Sequence, residues 1–275
     1  MNARQHILAA TDLSLPAAQA VERAAQLAAA AGACLTLLHV LEDAADEEAA
    51  RADLQALAAG LQERHGVAAS LRLIGGRVSE ALCAEADALD AALLVLGARG
   101  RGLVEELLLG STAEQVMNGC RRPLLIVRAP QQAAYRRLLV PVDFSPRSRQ
   151  AVELARHWLP QSTLTLLHAF ELPFEGRLRH AGVGDSELGS LLARALQEAR
   201  EDMRRFMSAQ ALDETLAQPL IVHGAAVPKI LDLCSPQRHD LLVIGRRAQG
   251  VLSELMLGSV TRNILQQAGI DVLVF

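Results

Sequence analysis

Residues 97–112, GARGRGLVEELLLGST, combine glycines, hydroxyl side chains and arginines in a way that suits phosphate. Glycines allow positive φ and leave room for a ligand against the backbone. A helix that opens at the final Gly-Ser-Thr would offer free backbone amides to an anion, and hydroxyl groups can add hydrogen bonds. Arginines beside them supply positive charge. The candidate phosphate-binding residues are Gly97, Gly100, Arg101, Gly110, Ser111 and Thr112.

An acidic residue follows the first apolar run of the chain. Asp12 comes soon after the run 6–10, and Gly97 comes directly after the run 91–96. Ligands of open α/β sheets bind beyond the carboxyl ends of strands, where the strand order reverses. In that crevice, Asp12 could accept hydrogen bonds from a ribose hydroxyl or an adenine edge. The alternative stays open at this point: Asp12 only ends a strand, and the glycines only form a tight strand-to-helix connection.

Composition and missing motifs exclude several classes of function. No G-x-x-x-x-G-K-[ST] occurs, and residues 97–112 do not form the dinucleotide motif G-x-G-x-x-G. A net charge of −4 and a pI near 6.1 give no basic field for nucleic acid. No apolar run approaches the roughly 18 residues that cross a membrane, and the first residues lack a signal-peptide pattern. We therefore expect a cytoplasmic protein that binds neither nucleic acid nor membrane.

Short apolar runs alternate with longer helical patterns along the chain. The runs LLVLG and LLVIG are apolar throughout, as in central parallel strands that are covered on both faces. Alternating strands and helices predict βαβ units, and right-handed crossovers then give a doubly wound α/β fold. The predicted strands are 6–10, 34–40, 67–74, 91–96 and 124–127, then 137–142, 164–169, 216–223, 240–244 and 272–275.

The chain is an internal duplication. The segment 97–112 has an ungapped second copy, GRRAQGVLSELMLGSV, at residues 245–260. ILAATDLS and LTLLHVLE in the first half reappear in the same order as LLVPVDFS and LTLLHAFE in the second. The sequence therefore predicts two tandem domains, residues 1–128 and 135–275, with Pro130 in the linker between them.

The glycine spacing resembles a known family. The pattern G-x2-G-x9-G-[ST] is similar to the nucleotide-binding motif of universal stress proteins, and the ends of the first two predicted strands resemble the same family. The resemblance covers nearly all 275 residues. It implies a five-stranded parallel sheet of order 3-2-1-4-5, with helices on both faces, in each domain, and pairing of the domains through their fifth strands. The residues that carry it are Gly97, Gly100, Gly110, Ser111, Asp12, Ser14, His39 and Val40.

The resemblance also implies a ligand, which is ATP, with or without Mg²⁺. Carried over residue by residue, Asp12 and the backbone at Ala10 and Val40 would hold adenosine. The candidate phosphate-binding residues would hold the triphosphate. We further expect the chain to form a homodimer.

The second copy of the motif departs from the first at two informative positions. Ala248 stands where the first copy has Gly100, and it adds a Cβ where the backbone needs close approach or positive φ. Val260 stands in place of Thr112 and removes a hydroxyl group. We therefore expect one good nucleotide site, in the first domain. The other corresponding residues are Pro141, Asp143, Ala169, Gly245, Gly258 and Ser259.

Cysteines and histidines show no metal-ligand spacing. The cysteines form no C-x-x-C pair, and we interpret them as small buried hydrophobic residues and not as a disulfide or metal framework. His39 and His168, at matching strand ends, are interpreted as hydrogen-bonded structural residues. We assign no catalytic and no metal-binding residue. The cysteines are Cys34, Cys83, Cys120 and Cys234.

The sequence favours binding over catalysis. ATP hydrolysis needs a positioned water, a base and usually a metal clamp, and Asp12 is the only acidic residue that we can assign to the crevice. We expect a nucleotide-binding stress-response or signalling module. Two alternatives stay open: a slow ATP hydrolase, and a scaffold without nucleotide in which residues 173–185 bind a protein or a small apolar ligand. That segment is the main extra length of the second half, and we interpret it as a surface loop, with a lid as the alternative.

Overall fold

The computed structural model describes residues 5–41, 46–100, 109–128, 133–180, 184–246 and 258–275. Within these ranges strands and helices alternate along the chain, and the strands pair mostly in parallel. None of the described helices combines the length and the apolar character needed to span a bilayer. The predicted α/β fold class, two doubly wound halves with parallel sheets, is confirmed.

The first half alternates regularly between strands and helices. Its elements are β1 (His6–Ala10), α1 (Leu15–Ala31), β2 (Cys34–Leu41), α2 (Glu47–His65), β3 (Ala69–Gly75), α3 (Val78–Ala88), β4 (Leu93–Gly97), α4 (Ser111–Gly119) and β5 (Leu124–Val127).

The second half repeats this order with one additional short helix. Its elements are β6 (Arg137–Pro141), α5 (Pro146–Trp158), β7 (Thr163–Phe170), α6 (Glu175–His180), α7 (Asp185–Ala209), β8 (Ala217–His223), α8 (Ala226–Leu233), β9 (Leu241–Ile244), α9 (Ser259–Gln267) and β10 (Asp271–Val274).

The starts of α1 and α5 show how local sequence sets these boundaries. Ser14 has an extended backbone, and its side chain accepts a hydrogen bond from the Ala17 amide at 3.4 Å. Gly32, with φ of 63°, ends α1 in the left-handed conformation. Helix α5 begins in the same way, with Ser145 as the cap and Pro146 as the first residue. Both helices thus begin with a serine cap.

The described residues divide into two compact units, of which the first comprises Met1–Ala134 and Arg246–Phe275. Its strands lie in the order β3-β2-β1-β4-β5-β10. The neighbours from β3 to β5 are parallel, whereas β10 runs antiparallel to β5, with Leu273 opposite Leu125. The first half therefore has the expected order 3-2-1-4-5. By their contacts, α9 and β10 belong to this unit, although by sequence they belong to the second half.

The second unit comprises Tyr135–Gly245. Its strands lie in the order β8-β7-β6-β9, which is 3-2-1-4 when numbered within the half. Leu138, Leu139 and Val140 of the central strand β6 are fully buried. Continuous burial along a strand is what coverage by helices on both faces produces.

The interpretation of residues 173–185 as a surface loop is wrong in part. Residues Glu175–His180 form the short helix α6, and α7 already begins at Asp185. Glu, Arg and Leu all have good helix propensity, and the His180 ring donates to the Gly176 carbonyl at 2.7 Å. Residues 181–183 of the segment lie outside the described residues, and the lid stays a prediction.

Candidate functional site

The chain turns sharply after β1, at the carboxyl edge of the sheet in the first unit. Leu13 is left-handed there, with φ of 62°, a conformation that side chains rarely adopt. Its amide donates to Thr11 Oγ1 at 3.0 Å. The Ser14 amide donates to Asp12 Oδ1 at 3.0 Å, and the Ser14 hydroxyl donates to the same oxygen at 2.5 Å. These bonds hold the Asp12 carboxyl group in place beyond a central strand.

Asp12 and Gly100, two of the predicted site residues, lie together. Strands β1 and β4 are parallel neighbours, with Ala9 opposite Val95, so their carboxyl ends meet at one edge. A Cβ built on Gly100 would lie 2.5 Å from Asp12 Oδ2, far inside van der Waals contact. Only a residue without a side chain permits this distance. The backbone at Gly100 is therefore closely approached, as predicted, and the group that approaches it is the Asp12 carboxylate.

Of the two reasons considered for glycine in this segment, close approach and positive φ, the second does not apply to Gly97 or Gly100, because neither is left-handed. Packing explains Gly97 instead. A Cβ there would lie 3.0 Å from the Arg99 carbonyl oxygen and 3.3 Å from that of Pro16, in the first turn of α1. A side chain at Gly97 would therefore force these neighbours to shift by a few tenths of an ångström.

Helix α4 begins beside the end of β4. The Gly110 amide donates to the Ala98 carbonyl at 2.8 Å, which ties the helix start to the strand end. Gly110 is the residue before the helix and has no side chain to cap it. Ser111 and Thr112, the first residues of the helix, are exposed. Among the described residues no side chain caps this helix, whereas a serine side chain caps α1.

The two residues predicted on the adenosine side lie toward the same edge of the sheet. Ala10 is the last residue of β1 and pairs with Leu38 of β2. Val40 lies further along β2, opposite Ile74 of β3. Both side chains are almost fully buried, at 9% and 8% exposure. What these residues can offer a ligand is therefore mainly their backbone groups, as the resemblance implies.

His39 fixes the turn from the side of β2. Its Nδ1 lies 2.7 Å from the Thr11 carbonyl oxygen, and because a carbonyl only accepts, Nδ1 carries the proton. The equivalent His168 donates to the Val142 carbonyl at 2.8 Å. Their predicted role as hydrogen-bonded histidines is confirmed. Among the residues that the structure describes, no group of three or more His, Cys, Asp or Glu side chains could hold a metal ion.

A cavity of about 480 Å³ adjoins the turn. Thr11 and Leu13 line it from the turn, and Asp53, Leu57 and Arg64 line it from α2. Its volume falls within the roughly 300–1,000 Å³ that is usual for small-molecule pockets. Sequence reasoning missed these α2 residues, because no motif marks the face of a helix that meets a ligand.

The matching turn of the second half is arranged differently. The Asp143 carboxylate accepts from the Ser145 amide at 3.1 Å and from the Ser148 hydroxyl at 2.6 Å, and the Ser148 hydroxyl also accepts from the Asp143 amide. Burial raises the pKa of Asp143, but the hydrogen bonds from both serines outweigh it and lower the pKa overall. The residue at the position of Ser148 in the first half is Ala17, which cannot bond to Asp12 in this way. Asp143 is therefore tied back to α5.

Two of the predicted residues are not described, and those of the second copy are divided between the two units. Arg101 and Ala248 lie outside the described residues. Of the second copy, Pro141, Asp143, Ala169 and Gly245 belong to the second unit, whereas Gly258, Ser259 and Val260 belong to the first.

Three comparisons with known proteins agree on one family. The sequence profile described as "Universal stress protein family" matches residues 3–128 and 134–275. A universal stress protein of Mycolicibacterium smegmatis is 26% identical over 298 residues, covering 98% of this chain and 96% of that protein.

Other relatives match over shorter stretches. Universal stress protein Rv1996 of Mycobacterium tuberculosis is 26% identical over 196 residues, which is 66% of this chain and 58% of that protein. The match to this relative thus spans little more than half of the relative's own length.

A solved structure has the same fold. The crystal structure of a putative universal stress protein from Pseudomonas aeruginosa superimposes with a TM-score of 0.73 at 19% identity, covering 99% of this chain and 93% of the other. At that identity the likeness concerns the fold alone. Because the family profile accounts for both halves, the chain belongs to the universal stress protein family.

Proposed function

We propose that the first unit binds an adenine nucleotide at the edge formed by the ends of β1, β2 and β4. The backbone at Ala10 and Val40, together with Asp12, would hold adenosine. Arg101 and the other candidate phosphate-binding residues would hold the triphosphate. The chain would then act as a nucleotide-responsive module in a stress response.

One observation carries the proposal. A Cβ on Gly100 would lie only 2.5 Å from Asp12 Oδ2, and no described side chain caps the helix α4 that begins nearby. Asp12 would then accept a hydrogen bond from ribose, and the amides of the first turn of α4 would bind phosphate, at the switch point of the sheet. A Cβ at position 100 would fill this space. The site residues thus fit a nucleotide, and Gly100 is the position at which the fit is tested most directly.

The first prediction concerns a Gly100→Ala variant. The new Cβ must displace the Asp12 carboxylate, whose other oxygen is held by Ser14, so we expect ATP affinity to fall at least tenfold in isothermal titration calorimetry. Gly75→Ala is the matched control, because a Cβ there meets nothing within 4 Å. Its affinity should equal that of the unmodified chain.

Equal ATP affinity in Gly100→Ala and Gly75→Ala would rule out this site. Native mass spectrometry of the freshly purified protein tests the ligand itself. A bound mass equal to an adenine nucleotide supports the proposal, and an unmodified chain that binds no ATP at millimolar concentration contradicts it.

A further inference from the structure

Two cysteines from different helices meet in the first unit. Cys83 lies in α3, and Cys120 directly follows α4. Each thiol has the largest electrostatic influence on the other, so the two side chains lie close together. A Cβ built on the adjacent Gly119 would lie 3.7 Å from Cys83 Sγ, which shows how closely the end of α4 approaches α3. Both residues are free thiols, Cys120 buried and Cys83 partly exposed.

A buried guanidinium group lies at the same end of α4. Arg246 donates from Nη1 to the Met117 carbonyl at 2.6 Å and from Nη2 to the Arg122 carbonyl at 2.7 Å. These two carbonyls flank Cys120 in the sequence. Within the described part of the chain, Arg246 Nε is buried without a hydrogen-bond partner. From their spacing the cysteines were expected to be small buried hydrophobic residues, and no sequence motif marks Arg246.

The charges around the pair favour one thiolate. The hydrogen bond from Cys83 lowers the pKa of Cys120 to about 6, with help from the Arg122 amide and Arg246 and against burial and Asp87. The same hydrogen bond and burial raise the pKa of Cys83. The pair as a whole therefore gives up its first proton more easily than an isolated thiol does.

We propose that Cys83 and Cys120 are a reactive dithiol that hydroperoxides oxidise to an intramolecular disulfide. The reactant reaches the pair from the side of Cys83, which is partly exposed. Nothing in this proposal depends on nucleotide binding, because neither cysteine belongs to the proposed nucleotide site.

The reaction proceeds in two steps. The Cys120 thiolate attacks one peroxide oxygen, so that an S–O bond forms, the O–O bond breaks, and the leaving alkoxide or hydroxide takes a proton from water. The Cys83 thiol then loses its proton to solvent, and its sulfur attacks the Cys120 sulfur. The S–S bond forms, the S–O bond breaks, and hydroxide leaves as water. In total the two thiols lose two electrons and one hydroperoxide is reduced to an alcohol, or to water from hydrogen peroxide.

Peptide mapping after treatment of the intact protein with hydrogen peroxide tests this step. Trypsin releases Cys83 in peptide 78–99, Cys120 in peptide 102–121, and Cys34 and Cys234 in two other peptides. We expect the peptides 78–99 and 102–121 to appear as one species that has lost two hydrogens and that dithiothreitol separates. Oxidation of Cys34 or Cys234 before this pair, or no such linked species, would overturn the proposal.

Three arginine variants test the role of the charge. Arg246→Gln should slow peroxide-driven loss of the two thiols several-fold at pH 7, because it removes the positive charge that favours the thiolate. Arg246→Lys should keep most of the rate, and Arg77→Gln, which removes an exposed guanidinium from the start of α3, should keep all of it. A Cys83→Ser variant should accumulate sulfenic acid at Cys120, detected as a dimedone adduct. Equal rates in all three arginine variants, or no adduct at Cys120, would contradict the mechanism.

Discussion

Asp12 and Asp143 occupy matching strand ends, yet their carboxylates have different surroundings. Asp12 faces Gly100, whereas Asp143 is held by Ser148 in the first turn of α5. The exchange of Ala17 for Ser148 therefore gives Asp143 a hydrogen bond that Asp12 cannot receive at the matching position. This change adds to the loss of a glycine at Ala248 as a reason to expect one nucleotide site.

His239 is a buried residue whose protonation should control the stability of the second unit. Its ring contacts the Leu233 carbonyl oxygen and Thr165 Oγ1, each at 3.0 Å. Burial lowers the pKa of His239, and the hydrogen bond to Leu233 offsets this only in part. The unfolded chain then takes up a proton more readily than the native state. The free energy of unfolding therefore decreases as the pH falls. The loss begins near the unfolded pKa of about 6.5 and continues down to the lowered pKa of the native state.

We therefore expect the urea midpoint of the second unit to decrease between pH 7.5 and pH 5. Trp158, the single tryptophan of the chain, is buried in α5 and reports this unit by its fluorescence. His239→Gln should flatten the pH dependence, whereas His223→Gln, at an exposed position on β8, should leave it unchanged. The same pH slope in His239→Gln and in the unmodified chain would refute the assignment.

At the scale of elements, a buried ion pair and hydrogen bonds connect β10 and α9 to the first half of the chain. Asp271, at the start of β10, is fully buried and lies 3.8 Å from Arg23 Nε of α1, which is also buried. The same carboxylate accepts from the Arg128 amide at 2.7 Å, and the Arg128 side chain donates to the Leu265 carbonyl of α9. These contacts join the two ends of the sequence within one unit.

Asp271→Asn should destabilise the protein by about 3 kcal/mol, because it leaves the buried Arg23 charge without its counter-ion. Denaturation by urea, followed by circular dichroism, measures the change. Arg23→Met in the same background should restore part of the loss. Glu47→Gln, which breaks an exposed pair with Arg51, should cost less than about 0.5 kcal/mol and is the control. If Asp271→Asn costs as little as this control, the pair of Asp271 and Arg23 does not stabilise the protein.

At the scale of the whole molecule, the compact units and the sequence halves do not coincide. The predicted domains are 1–128 and 135–275, and these bounds stay a prediction. By contacts, however, Arg246–Phe275 lies with the first unit, and β10 continues its sheet beyond β5. Pairing also protects β5, an apolar strand that would otherwise expose an edge.

Hydrogen exchange can distinguish these two divisions of the chain. In a Leu273→Asp variant we expect the amides of β5 to exchange much faster, because a buried charge on β10 disrupts the pair in which Leu273 lies opposite Leu125. Strands β6 and β7 should change less. Leu139→Asp, at a buried position of β6, is the matched variant and should give the opposite pattern. If Leu273→Asp opens β6 and β7 but leaves β5 protected, the chain folds by sequence halves.

Much of the fold follows from local pattern. Strand β1 lies at residues 6–10 as the apolar run predicts, and Ser14 and Ser145 cap their helices because the serine-proline signal is local. The spacing of the motif identified Gly97 and Gly100, but it did not show why each position needs a glycine. A side chain at Gly97 would press on the carbonyl groups of Arg99 and Pro16, and one at Gly100 would press on the Asp12 carboxylate. Pro16 and Asp12 are far away from these glycines in sequence.

The sequence by itself determined the α/β class, the duplication and the family, since each is written in periodicity or in a repeated motif. Only the tertiary structure decided that Asp12 meets Gly100, that Ser148 holds Asp143, and that Cys83 meets Cys120 beside Arg246. The pairing of β10 with β5, which the resemblance implies, is present in the structure. The physical reason is the same in each case: these contacts join residues that are distant in the chain, and only the packing of the sheets and helices brings them together.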